Sequence, residues 1–334
     1  MADSLVTNSS FGDGSLGQLT QTYYQPKAES RLFQNLVLYN LGQKRKVPKN
    51  SGQVTQFYRY GVINGSTSTI SSSATINTTA AQAQLTATTV TLTTNIYGQF
   101  VTLAKYDVNS IRSKSLIEDA VDVLADSASD TVDLTIRAAL YNNTATTGAA
   151  GSLTASLFYG QNLAQTSASI TTADTMTAGT IRRGVMRLQS NKVRPFEGQR
   201  YALIVHPTAL YDIMSDTNTG GFLASAQYNE PSKIWKGEVG MIAGARVLMS
   251  QNMTTASVTS GVTAYNSLLV GQDSFACVDL EGGDAIQIIV KKDGGSFDPL
   301  DSIVTVAYKL PYWGVAWLGA DGPRAIRLVT ANNG

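Results

Sequence analysis

The residues of this chain that could do chemistry are few. His206 is the only histidine, so a Ser-His-Asp triad or a histidine-based metal site would have to use this one ring. It stands before Pro207 at the end of an apolar run, and no G-x-S-x-G elbow accompanies it. A structural role at a strand-to-helix turn is expected. Gly12-Asp-Gly14-Ser-Leu-Gly17 matches the G-x-G-x-x-G spacing, but it lacks the strand, the helix and the ribose-binding acid that make that spacing a phosphate cradle. It reads as part of a flexible arm. Asp293, Asp298 and Asp301 gather near a Gly-Gly turn and could offer oxygen ligands to Ca²⁺, without the spacing of an EF-hand. Cys277, the only cysteine, lies in Ser274-Phe-Ala-Cys-Val-Asp279; it reads as a small buried hydrophobe and cannot form an internal disulfide. No catalytic residue, cofactor or metal ion is expected.

One charge pattern remains. Asp119, Asp122, Asp126, Asp130 and Asp133 recur at spacings of 3, 4, 4 and 3, which lines one face of a helix. Each like-charged neighbour pair costs such a helix about 0.2–0.5 kcal/mol, so four cost on the order of 1–2 kcal/mol. Basic residues could offset this, and Lys44, Arg45, Lys46, Arg182, Arg183 and Arg187 are the candidates. Plain solvation of the stripe is the alternative. The expectation is that at least two of the five carboxylates reach an Arg or Lys, from this chain or from another copy.

The elements that would carry these residues follow from periodicity. Residues 110–142 give a 3.6-period stripe of Ile117, Ala120, Val121, Leu124, Ala128, Val132, Ile136 and Leu140, a helix with Ser110 as its N-cap. A shorter helix is predicted over Glu29–Leu41, capped by Gly42, and another over Thr180–Asn191 with Ile181, Val185 and Leu188 inward and Arg182, Arg183 and Arg187 outward. Strands are predicted at 53–62, with Val54, Tyr58, Tyr60 and Val62 on one side, and at 84–105, with a bulge near Thr88-Thr89. From residue 201 the pattern is α/β, closing on β-strands at 303–308, 313–318 and 325–329.

Between Arg59 and Lys105 the chain runs 45 residues without a charge, and residues 66–94 hold 16 Ser or Thr. Alternation of Val90, Leu92, Thr94 and Ile96 makes the second half a strand. Such a ribbon has little core of its own, so it is expected to lie mostly on another subunit. The whole chain of 334 residues carries 15% charged residues and a net charge of +1, which gives no general affinity for nucleic acid or acidic membranes. Surfaces rich in Ser, Thr, Asn and Gln suit permanent packing against copies of the same protein, since few charges are stranded. The opening Met1-Ala-Asp-Ser-Leu-Val6 lacks the regions of a signal peptide, and no apolar run reaches a membrane-spanning length. A reducing cytosol is the expected setting.

Several stretches carry a resemblance: Tyr39-Asn-Leu-Gly-Gln-Lys-Arg-Lys-Val-Pro-Lys-Asn-Ser-Gly52, Tyr97-Gly-Gln-Phe-Val101, Ile204-Val-His-Pro207, Lys233-Ile-Trp-Lys-Gly-Glu-Val-Gly240, Leu269-Val-Gly271, Val278-Asp-Leu-Glu-Gly-Gly283 and Asp298-Pro-Leu-Asp301. In this order they resemble the major capsid proteins of tailed bacteriophages, of the Hong Kong 97-type fold, and within them the branch typified by the coliphage N-four capsid protein. The resemblance implies an α+β fold with an N-terminal arm (1–52), an extended β-hairpin loop (53–104), a peripheral domain with a long spine helix (105–178, completed by strands in 290–334) and an axial α/β domain (179–289). It implies self-assembly, as hexamers and pentamers, into an icosahedral shell around double-stranded DNA, with portal, separate scaffolding and decoration proteins as partners. Contact with the DNA would be weak and non-specific, and no membrane would be involved. The protein would be found in the virion and assembled in the bacterial cytoplasm. Residues 60–104 hold no Lys, so the lysine–asparagine crosslink of one member of this fold cannot use the hairpin tip. The expected inter-subunit contacts are Lys44, Arg45, Lys46, Tyr58, Arg59, Tyr60, Val90, Leu92, Ile96, Tyr97, Asp119, Asp122, Asp126 and Trp235. A tail-tube subunit or surface-layer protein is the alternative; an enzyme of the α/β class built around His206 is a weaker one.

Overall fold

Two β-sheets share one long helix in the computed structural model, which describes residues 28, 30, 36–47, 52–60, 85, 87–110, 116–144, 156–160, 166–198, 200–216, 238–256, 258, 261–280, 286–291, 298, 300, 302–319 and 323–331. In chain order the elements begin with β1 (Gln43–Val47), β2 (Val54–Tyr60), β3 (Ala87–Thr93), β4 (Asn95–Ala104), α1 (Lys105–Ser110), α2 (Leu116–Asn143) and β5 (Leu157–Tyr159). Then come α3 (Ala178–Ser190), β6 (Tyr201–Val205), α4 (Pro207–Ser215), β7 (Glu238–Ile242), β8 (Ala245–Met249), β9 (Thr255–Ala256) and β10 (Ala264–Val270). The chain closes with β11 (Phe275–Leu280), β12 (Gln287–Lys291), β13 (Ile303–Trp317) and β14 (Ala325–Ala331).

The first sheet has the order β1-β11-β13-β12, with β4 also paired to β13. The second has the order β5-β14-β10-β6-β8-β7, with β9 on β10. Helix α2, 28 residues and so about 42 Å long, buries Ile117, Val121, Leu124, Ala128, Val132, Ile136 and Leu140. These are the residues of the predicted stripe, with Ala120 half-buried at its margin. They join one apolar cluster that reaches Phe275 and Val306 of the first sheet and Ile204, Leu268 and Ala325 of the second. The helix is therefore the common core of both sheets. Its register on β13 is fixed by two threonines one turn apart: Thr131 Oγ1 lies 2.8 Å from Tyr308 Oη, and Trp313 Nε1 donates to Thr135 Oγ1 at 2.8 Å.

Strand β13 is one 15-residue strand where two separate strands are predicted. Pro311 lies between them in the sequence, but Tyr312 at φ 57° forms a bulge that shifts the pairing with β4 between Leu310 and Trp313. The one extra residue keeps both Leu310 and Trp313 facing α2. The predicted strand 84–105 divides instead at Thr94, into β3 and β4. No bulge occurs near Thr88-Thr89, since the β2–β3 register runs unbroken from Val54↔Thr93 to Tyr60↔Ala87.

Three further expectations are corrected. Ser110 ends α1 and does not cap the long helix, whose described start is Leu116. Residues 29 and 31–35 of the helix predicted over Glu29–Leu41 lie outside the described residues, and its end is a 3-10 turn, Tyr39–Leu41. Gly42 is extended there; it is small because a Cβ would stand 2.4 Å from the Phe275 ring. Arg187 does not point outward from α3 but is buried, its guanidinium 5.4 Å from the Phe158 ring centroid.

Candidate assembly surfaces

His206 caps a helix. Its Nδ1 accepts the Thr208 N–H at 3.3 Å at the start of α4, and its ring stacks on Tyr265 at 4.6 Å between centroids. Desolvation holds its pKa below the ordinary value, which favours the neutral ring that accepting requires. Burial pushes the Cys277 thiol up to about 12, far from a reactive thiolate. Desolvation raises the pKa of Asp298, but hydrogen bonds from Ile303 N–H and from the Ser302 N–H and hydroxyl outweigh it, so the carboxyl titrates below its ordinary value. That carboxylate closes the turn into β13. Asp293, Asp301, Trp235 and the segment Gly12–Gly17 lie outside the described residues. Among the described residues no group of three or more His, Cys, Asp or Glu could hold a metal, and no helix is long and apolar enough to cross a membrane. A cleft of 740 Å³ between Leu36–Leu41 and sheet two is lined by one carboxylate, Glu197, with Arg200, Arg246 and mainly apolar side chains.

The uncharged ribbon divides into two faces. On the inner one Phe57 and Leu92 are buried with Val47, Ala276, Val278, Ala316 and Leu318, on the side of the first sheet opposite α2. The approach is close: a Cβ at Gly314 would stand 2.6 Å from Leu92 Cδ2. Arg59 donates to the Leu318 carbonyl. Thr94 donates its N–H to the Gln53 carbonyl at 2.9 Å and its hydroxyl at 3.1 Å. The base of the hairpin thus has a core on its own chain, against the expectation drawn from its composition. Leu92, expected as a contact with another copy, is 2% exposed in the single chain, and Arg59 is half-buried. The outer face carries Val54, Tyr58 and Tyr60 at 53%, 64% and 62% exposure. Val90 and Tyr97 are half-buried and Ile96 is exposed. Residues 61–84, the expected tip, lie outside the described residues.

The basic cluster forms β1, which pairs in parallel with β11 and exposes Lys44, Arg45 and Lys46. Lys44 Nζ sits 4.0 Å from the Tyr39 ring centroid and donates to Asn40 Oδ1 at 3.2 Å. Arg45 lies 5.5 Å from the Phe57 ring centroid and donates to the Gln56 carbonyl at 3.1 Å. Both engage the arm and hairpin base of their own chain.

The acidic stripe is not uniform. Asp119 is exposed, and Asp122 and Asp126 are half-buried. Asp130 accepts the Asn252 amide at 3.1 Å. Asp133 is buried and accepts the backbone N–H groups of Val37 and Leu38, each at 3.2 Å. It joins the arm to α2 through backbone, with no cation involved in those two bonds. Sequence spacing could not show this, because the donors carry no side-chain signature.

Residues 87–329 match the model of a family described as phage capsid protein. No curated protein matches. Solved structures with the same fold include the capsid of Ralstonia phage GP4, with TM-score 0.67, 17% identity and 87% of each chain covered. The Cyanophage Pam1 capsid has TM-score 0.63 and 13% identity over 86% of this chain and 87% of that one. The head of Helicobacter pylori bacteriophage KHP40 has TM-score 0.61 and 13% identity over 88% of this chain and 91% of that one. The α+β capsid fold of the Hong Kong 97 type, implied by the resemblance in sequence, is the fold found.

Proposed function

Because the chain belongs to the phage capsid protein family, we propose that it is the major capsid protein of a tailed bacteriophage, which self-assembles into the icosahedral shell around double-stranded DNA. The observation that carries this reading is a family match over residues 87–329, which takes in α2 and the strands of both sheets apart from β1 and the last residues of β14. The exposed row Val54, Tyr58 and Tyr60 supports it, since apolar side chains on a ribbon with only one buried face suit a second copy. The role is structural and non-enzymatic. The copies associate as hexamers and pentamers, with portal, separate scaffolding and decoration proteins as partners in the virion.

The domain division proposed is an arm (1–52), a hairpin loop (53–104), a peripheral part (105–178 with 290–334) and an axial part (179–289). The sheets exchange strands across these bounds: β11 joins the first sheet, while β5 and β14 join the second. The two parts should therefore move little against each other.

Electron microscopy of the purified, expressed chain tests the reading. Closed icosahedral particles are expected, formed alone or with a scaffolding protein; open tubes would move the chain to the tail-tube class. Deleting residues 66–82 should leave a folded subunit and abolish closed particles. A deletion variant that still closes shells would remove the hairpin from the assembly argument.

Affinity for DNA should be low. At net charge +1 the free subunit is expected to bind duplex DNA with Kd on the order of micromolar or weaker at physiological salt, without sequence preference. A nanomolar, sequence-specific complex in a fluorescence-anisotropy titration would place the chain among nucleic-acid-binding proteins instead.

A further inference from the structure

Two arginines from distant parts of the chain converge on one ring. Arg137 and Tyr141 lie one turn apart on α2, which places them on the same helix face. Arg327 comes from β14. The Arg137 guanidinium is 5.8 Å from the Tyr141 ring centroid and the Arg327 guanidinium is 5.3 Å from it. Arg137 also donates to the Asn252 carbonyl. Among the described residues the Nε–H groups of both arginines are buried without an acceptor, and desolvation pulls the Arg327 pKa down.

The two acids that precede Arg137 on the helix, Asp130 and Asp133, are engaged by Asn252 and by the Val37 and Leu38 amides. No Asp or Glu among the described residues forms a salt bridge with either arginine. The chain leaving α2 is uncharged from Ala138 to Ala173, and residues 257–263, which follow β9, hold no acid. Two half-buried cations beside one ring gain from cation–π contact, but their mutual repulsion and lost hydration call for an anion. A guanidinium fork matches a carboxylate in plane and spacing.

We infer that Arg137 and Arg327 form a carboxylate-binding site for a second copy of this chain, occupied by Asp119 at the start of that copy's α2. The inference rests on the proposed shell function. Charge complementarity selects the occupant. From Glu118 to Asp133 helix α2 carries six acids and no base, and its one base is Arg137. Within the helix the start is acidic and the end is cationic, about 27 Å apart along the axis, with Arg112 and Lys114 preceding the start in the sequence. Asp119 is exposed and no partner is found for it among the described residues. A head-to-tail contact brings unlike ends together, and such heterologous contacts form rings where the rotation between copies closes. Duplex DNA is less suited, because two half-buried arginines offer a phosphate backbone few contacts.

The test starts from the exposed side, where substitution cannot disturb a core. Asp119→Arg is expected to lower the fraction of subunit sedimenting as shells by on the order of tenfold at low salt, the scale of a broken charge pair, with an unchanged thermal melt. Arg327→Glu should do the same, and the double variant D119R/R327E should recover most of the assembled fraction. Where R327E alone fails to fold, Arg137→Glu takes its place in the cycle. Wild-type assembly by either single variant would overturn the site, as would a double variant no better than a folded single one. Shells of R137Q/R327Q that form normally but retain less DNA would reassign the site to phosphate. Failure of the wild-type chain to form shells under any condition would instead strike at the proposed function.

Discussion

Phe57→Ala is expected to free the base of the hairpin while the helix-covered core stays folded. Phe57 is 4% exposed and forms, with Leu92, the hairpin's side of the cluster on Val47, Ala276, Val278, Ala316 and Leu318. Truncating a buried Phe costs about 3–5 kcal/mol. The β2–β3 pair is a two-stranded sheet by itself, and isolated hairpins are marginal in water, so a loss of that size exceeds what its pairing can hold. Amide hydrogen exchange in residues 54–60 and 87–93 should accelerate to near the unprotected rate, while Val121–Leu140 remains protected. The same variant should fail to form closed particles, because the outer face loses its rigid backing. Tyr58→Ala is the paired measurement. Tyr58 points away from that cluster at 64% exposure, so the isolated subunit should change by no more than about 0.5 kcal/mol, with the effect appearing in assembly. Unchanged exchange in the Phe57 variant would mean that the ribbon is held by its backbone ladder alone.

The features that sequence makes legible are those repeating within one element. Helix α2 shows itself because its apolar residues recur every third or fourth position over 28 residues. The parts hidden from sequence depend on what lies opposite. Strand β1 looks like a basic arm because four of its five residues are exposed and only Val47 is buried, which leaves no alternation to read. Phe57 is passed over because Tyr58 and Tyr60 flag the other face of the same strand as the apolar one. The break at Pro311 looks like a strand end, whereas the bulge absorbs it and preserves the face. The pair of arginines at Tyr141 joins residues from α2 and β14, and no local pattern connects them. Asp133 is the subtlest case. Fourteen residues separate it from Asp119, and at 3.6 residues per turn that leaves an offset of about 40° around the helix. The offset carries the last member of the acidic stripe onto the buried side, beside Val132.

That placement gives the subunit a pH dependence opposite to the usual one for a carboxylate. Burial raises the Asp133 pKa to about 6, with the nearby Asp130 charge adding to the rise, although the amides of Val37, Leu38 and Tyr39 pull the other way. The unfolded value is near 3.8. Between these two values the folded state holds more protons than the unfolded state, so stability falls as pH rises from about 4 to about 6. The full span is on the order of 3 kcal/mol. His206 works in the opposite sense: its folded pKa lies below 6.5, so its contribution is present above that value and lost as pH falls through the folded pKa. The quantity to measure is therefore the difference between wild type and Asp133→Asn, by denaturant unfolding of unassembled subunit at pH 4, 5, 6 and 7. Asparagine cannot ionise, so that difference should change by about 3 kcal/mol across the window and level off above it. Parallel stability profiles for the two proteins would show that the Asp133 carboxylate titrates alike in the folded and unfolded chain, and that its burial costs the fold nothing.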